Sequence, residues 1–546
     1  MKHKNILFAI ILAFLGGSCT KKQLNPKIGV KNTATIVQPN RLGLGDMGKP
    51  LTFSLYDWDA QHDIDAGEYT FVFQIAQEEL LRMELEKLPW GDWITASGTY
   101  ELQIPIHLLK YADGVQTLKL KVFENAVLVK ESTFSLHIEK NTIRTASDFI
   151  GIRHNAQTLA GNYVLGGDID LTAVTKLLPL VTCSFHQNNG LSVLNGSVTG
   201  LAYDSCIPFS GTFNGRGFTL RGIKVGSSEY LMAGVGLFGV IDGKTAQVKN
   251  ISLAVMEVKG SNLVGALAGL VRSDAMFSNI KVFVDERSSS DTHISATDIF
   301  AGGVFGCFVP YSLSSPVNLL QNITANLNVS AQGIVGGIAG ALLVGGEYLH
   351  AGSKINTAQD KQYLFYVAGT GYSIGGIAGE LVNATLLASH AGVGVSGNNT
   401  GKNVGGLVGR LYGVHAKIVD SYHFSAKQLA NNDTELSKMS IKGNQYVGGI
   451  VGQMIGVSKP ALVRVFVDSY QITGNDQVHI FCPEQTQGYV QNSFYSSSFA
   501  PQNFPSAQNV LHLSKDIAKK QDFINLGFDF INLWQWGQTQ NGFPFF

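Results

Sequence analysis

The chain has 546 residues, a formal net charge of zero, only 15% charged residues and 62 glycines. Balanced charge offers no basic face, which excludes electrostatic capture of nucleic acid as the main function. The aliphatic and aromatic content is ample for a long core, which excludes wholesale disorder.

The first element is a targeting signal. Met1-Lys2-His3-Lys4 is basic, and Ile6 to Leu15 is an apolar run of ten residues. Such a run is too short to span a bilayer as a mature helix. Gly16-Gly17-Ser18 then leads into Cys19. This ending is similar to a bacterial lipoprotein lipobox, with Gly16 where that pattern has an aliphatic residue and Leu15 one position further back. The resemblance implies a signal peptide over residues 1–18 and a lipidated Cys19. An ordinary cleaved signal with a chance cysteine is the alternative. Two acyl chains on Cys19 would suffice for stable membrane anchoring. Residues 19–45 mix Lys, Asn, Pro and Gly without an apolar period and read as a lipid anchor and flexible tether.

Residues 46–140 read as an Ig-like β-sandwich. Leu51 to Tyr56, Tyr69 to Ile75, Tyr100 to Ile104, Gln116 to Val122 and Ser132 to Ile138 alternate apolar and polar side chains, with turn residues between them. The Gln77 to Glu86 stretch fits a helix as well as a strand. In Thr145 to Arg153 a short capped helix is expected, with Ser147 or Thr145 as cap.

Residues 145–546 carry a repeat. It reads Gly236-Leu237-Phe238-Gly239, Ala266-Leu267-Ala268-Gly269, Gly303-Val304-Phe305-Gly306, Gly337-Ile338-Ala339-Gly340, Gly376-Ile377-Ala378-Gly379, Gly406-Leu407-Val408-Gly409 and Gly449-Ile450-Val451-Gly452. The starts lie 30, 37, 34, 39, 30 and 43 residues apart by subtraction. Periods of this size mark solenoids, propellers or arrays. A second piece recurs after the motif, an Asn or Asp in a strand-like run: Asn250, Asn279, Asn322, Asp420, Asp468 and Asn492. The expected fold is all-β, the sandwich being followed by a right-handed parallel β-helix whose coils share one core. Glycine there permits tight turns or close backbone approach, and stacked Asn residues can hydrogen-bond along the axis. Ala341 to Ala391 fits the repeat worst and is expected to hold an insertion.

Gly161-Asn162-Tyr163-Val164-Leu165, Asp168-Ile169-Asp170-Leu171 and Phe209 to Ile223 resemble the N-terminal coil of bacterial GLUG-motif proteins, and the glycine repeats resemble the GLUG motif itself. The resemblance implies an N-terminal coil over 145–225 and a C-terminal cap over 510–546, with a short helix starting in Leu513 to Ala518. It also implies a Bacteroidetes-like surface lipoprotein. Some peptidases pair such repeats with a zinc protease domain, whose chemistry needs H-E-x-x-H. That motif does not occur in the sequence.

Other candidates are weaker. Cys183 and Cys206 are close enough in sequence to pair, or they are buried thiols like Cys307 and Cys482. Asp420 and Asp468 occupy the same point of the repeat pattern and could stack as carboxylates, but Asn holds that point elsewhere, so a ladder or turn role is favoured. Asp57, Asp59, Gln61, Asp63, Asp65 and Glu68 match the ligand offsets of a calcium loop, with His62 replacing the turn glycine; a solvated loop is the competing reading. Tyr412, Tyr422, Tyr470 and Phe494 either form a stacking strip for sugars, or fill the solenoid or cover its surface.

The sequence therefore points to an outer-membrane lipoprotein and adhesin, facing the cell surface and contacting host or matrix glycans or proteins as a monomer. A periplasm-facing scaffold and a β-helix polysaccharide-degrading enzyme are the alternatives. Thr20-Lys21-Lys22-Gln23 is basic where surface-bound lipoproteins of this type often carry acidic residues, which speaks for the periplasmic face. Cys19 is the assigned site residue; no catalytic residue, metal or cofactor is assigned.

Overall fold

The computed structural model describes residues 35–36, 41–49, 51–55, 69–84, 100–104, 106–124, 126–183, 192–194, 197–199, 206–226, 234–311, 319–343, 349–352, 354–356, 361–425, 432–458, 461–483, 489–496, 508–513, 520–529, 535–536 and 544–545. The chain forms two compact units, Met1–Gly151 and Ile152–Phe546. Among the described residues no helix is long and apolar enough to cross a membrane.

The first unit is a β-sandwich. One sheet pairs Thr35–Ile36, Leu51–Leu55 and Tyr100–Ile104; the other orders Arg41–Gly43, Val127–Glu139, Gly114–Glu124, Tyr69–Ile75 and Glu78–Glu84. The ambiguous stretch after Gln77 is a strand. It folds back antiparallel on Tyr69–Ile75 through Ala76, whose φ is 54°, and sets Phe73 opposite Leu81. A lone helix of that length is marginal in water, whereas the hairpin pairs the same backbone groups with an adjacent strand. Val72, Ile75, Leu118, Leu120, Leu136 and Ile138 are buried.

The helix Ala146–Gly151 belongs to this unit. Its cap is Thr145: Thr145 Oγ1 accepts from Asp148 N at 3.0 Å, and the Asp148 carboxylate accepts from Thr145 N at 3.1 Å. This reciprocal pair is a capping box. Arg41 clamps the same carboxylate at 2.8 Å and reaches Glu139 at 2.8 Å, where Arg144 also binds. Arg144 and Arg41 together hold the Glu139 carboxyl down at about 2.

The second unit is a parallel β-helix. A representative coil runs through Leu320–Asn326, Val329–Ala331, Ile334–Gly336 and Ala339–Leu342. The first two strands join a long parallel sheet, called sheet A. The third joins sheet B, seven strands from Leu263–Gly265 to Gln477–His479. The fourth joins sheet C, seven strands from Val240–Asp242 to Val451–Ile455. The glycine motif is the corner between sheets B and C. Its aliphatic residue is buried at each corner, as in Leu237, Leu267, Val304, Ile338, Ile377, Leu407 and Ile450. The ladder does not break there: Val304 N donates to Ile338 O at 2.8 Å, Ile338 N to Ile377 O at 2.8 Å, and Ile377 N to Leu407 O at 2.8 Å.

The fourth motif position faces sheet B of the preceding coil at backbone contact. A Cβ on Gly409 would lie 2.4 Å from Ile374 N, and one on Gly452 2.4 Å from Val404 N. Neither glycine has a positive φ, so close approach rather than turn geometry requires them. The first motif position is less strict, since Ala266 occupies it in one coil.

The N-terminal coil supplies parallel strands Asn162–Leu165, Ile169–Asp170, Thr212–Asn214 and Thr219–Val225. The expected insertion is an antiparallel hairpin, Lys354–Asn356 with Lys361–Tyr363. At the C-terminus Leu513 ends the strand Gln508–Leu513, and the rest of the Leu513 to Ala518 helix expectation lies outside the described residues. A helix stands at Lys520–Asn525, and its Phe523 caps the core edge-on against Phe494, with centroids 4.3 Å apart.

Gly409→Ala is expected to destabilise the solenoid by about 2–4 kcal/mol, whereas Gly167→Ala should stay within about 0.5 kcal/mol, because nothing lies within 4 Å of a Cβ there. Thermal unfolding of both variants checks this; equal effects would remove the close-approach argument.

Candidate functional site

Two features of the solenoid carry polar side chains in a repeated arrangement. The first is a corner column on sheet A. Asn250, Asn279 and Asn322 have φ of 54°, 54° and 51°. Asn tolerates this left-handed region better than most residues. Asn322 Nδ2 donates to Asn279 Oδ1 at 2.8 Å, Asn279 Nδ2 to Asn250 Oδ1 at 2.8 Å, and Asn250 Nδ2 to Asn214 Oδ1 at 3.1 Å. The side-chain ladder expected from the repeat is present.

Further along, Asp420, Arg464 and Asn492 take the same corner, with φ of 49°, 50° and 49°. Arg464 grips Asp420 with two bonds of 2.6 Å. Asp468 does not share the position of Asp420. It sits opposite Phe424, four residues beyond the corner held by Arg464. The tetrapeptide Val-Asp-Ser-Tyr recurs in sequence, but its second copy falls at the end of the strand Leu462–Asp468. The stacked carboxylate pair is therefore absent, and the ladder and turn reading stands for Asp420.

The second feature lies between sheets B and C. Glu380 follows the motif glycine Gly379 at a place where Leu270, Cys307 and Ala341 stand in other coils. Its side chain is 1% exposed and is held by Arg410 of the next coil at 2.5 Å. Ser373 Oγ donates to the same carboxylate oxygen at 3.4 Å. Burial pushes the Glu380 carboxyl up, against the pull of Arg410 and Ser373. Polar residues at a repeat position that is Leu270, Cys307 and Ala341 in the earlier coils were the signal that could have found this pair.

His423 is fully enclosed. Its Nε2 lies 3.0 Å from Val393 O and its Nδ1 2.6 Å from Ser469 Oγ. A carbonyl only accepts, so Nε2 carries the proton and Nδ1 accepts from the serine. Burial lowers the imidazole to about 4.

Cys19 and the Asp57 to Glu68 segment lie outside the described residues. Cys183 and Cys206 form a disulfide with Cα atoms 5.3 Å apart, while Cys307 and Cys482 are buried thiols. Tyr422 and Phe494 are buried at 4% and 0% exposure. They belong to an internal aromatic column, Tyr422 stacked on His390 at 4.9 Å and Phe494 on Phe466 at 4.1 Å. The sugar strip does not form from them; the filling role does. Tyr412 and Tyr470 are half-buried. Among the described residues no group of three or more His, Cys, Asp or Glu side chains could hold a metal.

No protein-family model matches the chain, and no solved structure matches it. Among curated proteins, Halomucin of Haloquadratum walsbyi (strain DSM 16790 / HBSQ001) is 33% identical over 132 residues. That stretch is 24% of this chain and 1% of Halomucin, so the chain spans a very small part of that relative's length.

Asn279→Gly keeps the left-handed corner but loses the ladder bonds, and Asn279→Val loses both. Chemical denaturation should show Asn279→Val costing about 1–2 kcal/mol more than Asn279→Gly. For His423 the folded value lies below the ordinary 6.5, so folding favours the neutral ring. Its stabilisation is complete above pH 6.5 and is lost as pH falls toward about 4. His423→Asn should flatten the stability profile across that window; an unchanged slope would show that His423 does not set it.

Proposed function

We propose that this chain is a lipid-anchored cell-envelope adhesin, fixed to the outer membrane through Cys19 and presenting its β-helix to glycan or protein ligands beyond the cell. The observation that carries the reading is the ladder of parallel strands that runs from coil to coil through sheets A, B and C among the described residues. Such a solenoid is a stiff, extended presenting surface. The glycine corners resemble the GLUG repeats of Bacteroidetes-like surface lipoproteins, which supports the same reading by analogy of sequence. The Cys183–Cys206 disulfide suits an oxidising compartment outside the cytoplasm.

Anchoring and exposure are tested together. Intact cells treated with a large protease should lose the protein, as lysed cells do. Cys19→Ser should release it from the membrane fraction. Protection until lysis would overturn the adhesin reading in favour of a periplasm-facing scaffold, and membrane retention of Cys19→Ser would overturn the lipid anchor.

A further inference from the structure

The first three strands of sheet C are Val240–Asp242, Ala268–Arg272 and Phe305–Val309, and Asp242, Arg272 and Val309 lie in register at their ends. Two residues past Val309 stands Tyr311, with 45% of its side chain exposed. Exposed side chains ordinarily hop between rotamers within nanoseconds. Tyr311 is instead held at three points by the two preceding coils. Its backbone N donates to Asp274 Oδ1 at 2.8 Å, and its phenol donates to Asp242 Oδ1. The Arg272 guanidinium lies over its ring, 5.0 Å from the centroid. Arg272 is fixed in turn by two bonds to Asp242, of 3.1 and 2.7 Å. Burial, then the bond to Asp242, raises the phenol above its ordinary value, so it keeps its proton and remains the donor.

Arg272 takes one face of the ring, and the exposed part of the side chain leaves the other face to solvent. An aromatic ring ordered before binding spares a ligand the cost of ordering it. The size of the apolar surface decides the kind of ligand. A stable protein interface buries about 1,200–2,000 Å2 around an apolar centre. Among the described residues of this corner, 242–246, 272–276 and 309–311, the large apolar side chains exposed are Tyr311 and Met276. That is too little for a protein partner, but one ring matches the C–H face of a pyranose. The charged residues of the same segments are Asp242 and Asp274 against Lys244 and Arg272. They balance, so the corner has no net charge to select an acidic sugar.

We propose that Tyr311 is a stacking platform for the ring of a neutral saccharide. The C–H face of the pyranose lies on the open face of the phenol ring, whose π-cloud is negative, and the sugar hydroxyls point outward to water. The proposal deepens the glycan-contact reading and rests on it. Tyr311 lies outside the set of aromatics that the sequence singles out for such a strip, and a role confined to covering Asp242 would use its hydroxyl but not its open face.

The test is calorimetric titration of the full chain with neutral cello-, manno- and N-acetylchito-oligosaccharides, and with a heparin-derived oligosaccharide for comparison. The expected result is binding of at least one neutral probe, unchanged as salt rises. Tyr311→Ala and Tyr311→Leu should each lose about ten-fold or more in affinity, whereas Tyr311→Phe keeps the ring and should lose far less. Leu retains apolar bulk at the site, so the result does not hang on the folding of the Ala variant, and circular dichroism checks each protein. Tyr372→Ala removes an exposed tyrosine elsewhere on the solenoid and should bind as the parent does. No binding of any neutral probe, or tighter binding of the heparin fragment, overturns the proposal. So does affinity unchanged in Tyr311→Leu, or a loss in Tyr311→Phe as large as in Tyr311→Leu, which would assign the effect to the phenol bond with Asp242. If the protein is digested on intact cells, such a failure leaves the adhesin reading standing; protection on intact cells sinks the adhesin reading whatever the titration shows.

Discussion

Sheets B and C meet with backbone against backbone, and a side chain at the meeting point would have to occupy the space of a peptide nitrogen. The fourth motif position is glycine in all seven copies, and this contact requires it at Gly306, Gly409 and Gly452, whereas Gly239 of the first copy sits at a φ of +72° against Val181 O. The buried aliphatic residue two places before it fills the inner side of the same corner. Glycine thus brings the sheets together and the aliphatic residue supplies the apolar burial that keeps them there. The third motif position stacks as Ala268, Phe305, Ala339, Ala378, Val408 and Val451 from coil to coil. Because these contacts repeat along the axis, each coil depends on its neighbours more than on distant parts of the chain.

Polar groups inside such a stack need partners in the adjacent coil. The structure meets this need in two ways. Asn214, Asn250, Asn279 and Asn322 share amide bonds along the axis. Elsewhere an acid in one coil faces an arginine in the next, as in Asp242 with Arg272, Glu380 with Arg410 and Asp420 with Arg464. A slip by one coil would strand these acids without their arginines. Leaving a buried charge unpaired costs about 3–5 kcal/mol, so the pairs select one stacking register even where they add little net stability.

Much of this was legible because repeats report equivalence. The glycine corners, the Asn column and the insertion after Ala341 all follow from comparing copies within one chain. The failures share a cause. The Asp420 and Asp468 tetrapeptides look alike, yet the strand register sets Arg464 in the corner and leaves Asp468 four residues beyond it. Residue type alone could not tell whether Tyr422 and Phe494 point inward, and the structure buries both. The strand Glu78–Glu84 has a helix-compatible composition that its hairpin partner overrides. Nor does spacing alone place the bulge at Gly222, which arises from a register mismatch between the strands Thr219–Val225 and Gln247–Gly260 of successive coils.

The coil-by-coil ladder also sets how the solenoid would yield to a pull along its axis. Hydrogen bonds between coils lie parallel to that axis, so a load on one end falls on a single coil at a time. Coils of 30 to 43 residues would each release roughly 100–150 Å of extended chain at about 3.3–3.6 Å per residue. Pulled from its two ends, the solenoid would lengthen by unspooling in discrete steps. The Cys183–Cys206 crosslink would withhold the residues between its two cysteines from that extension.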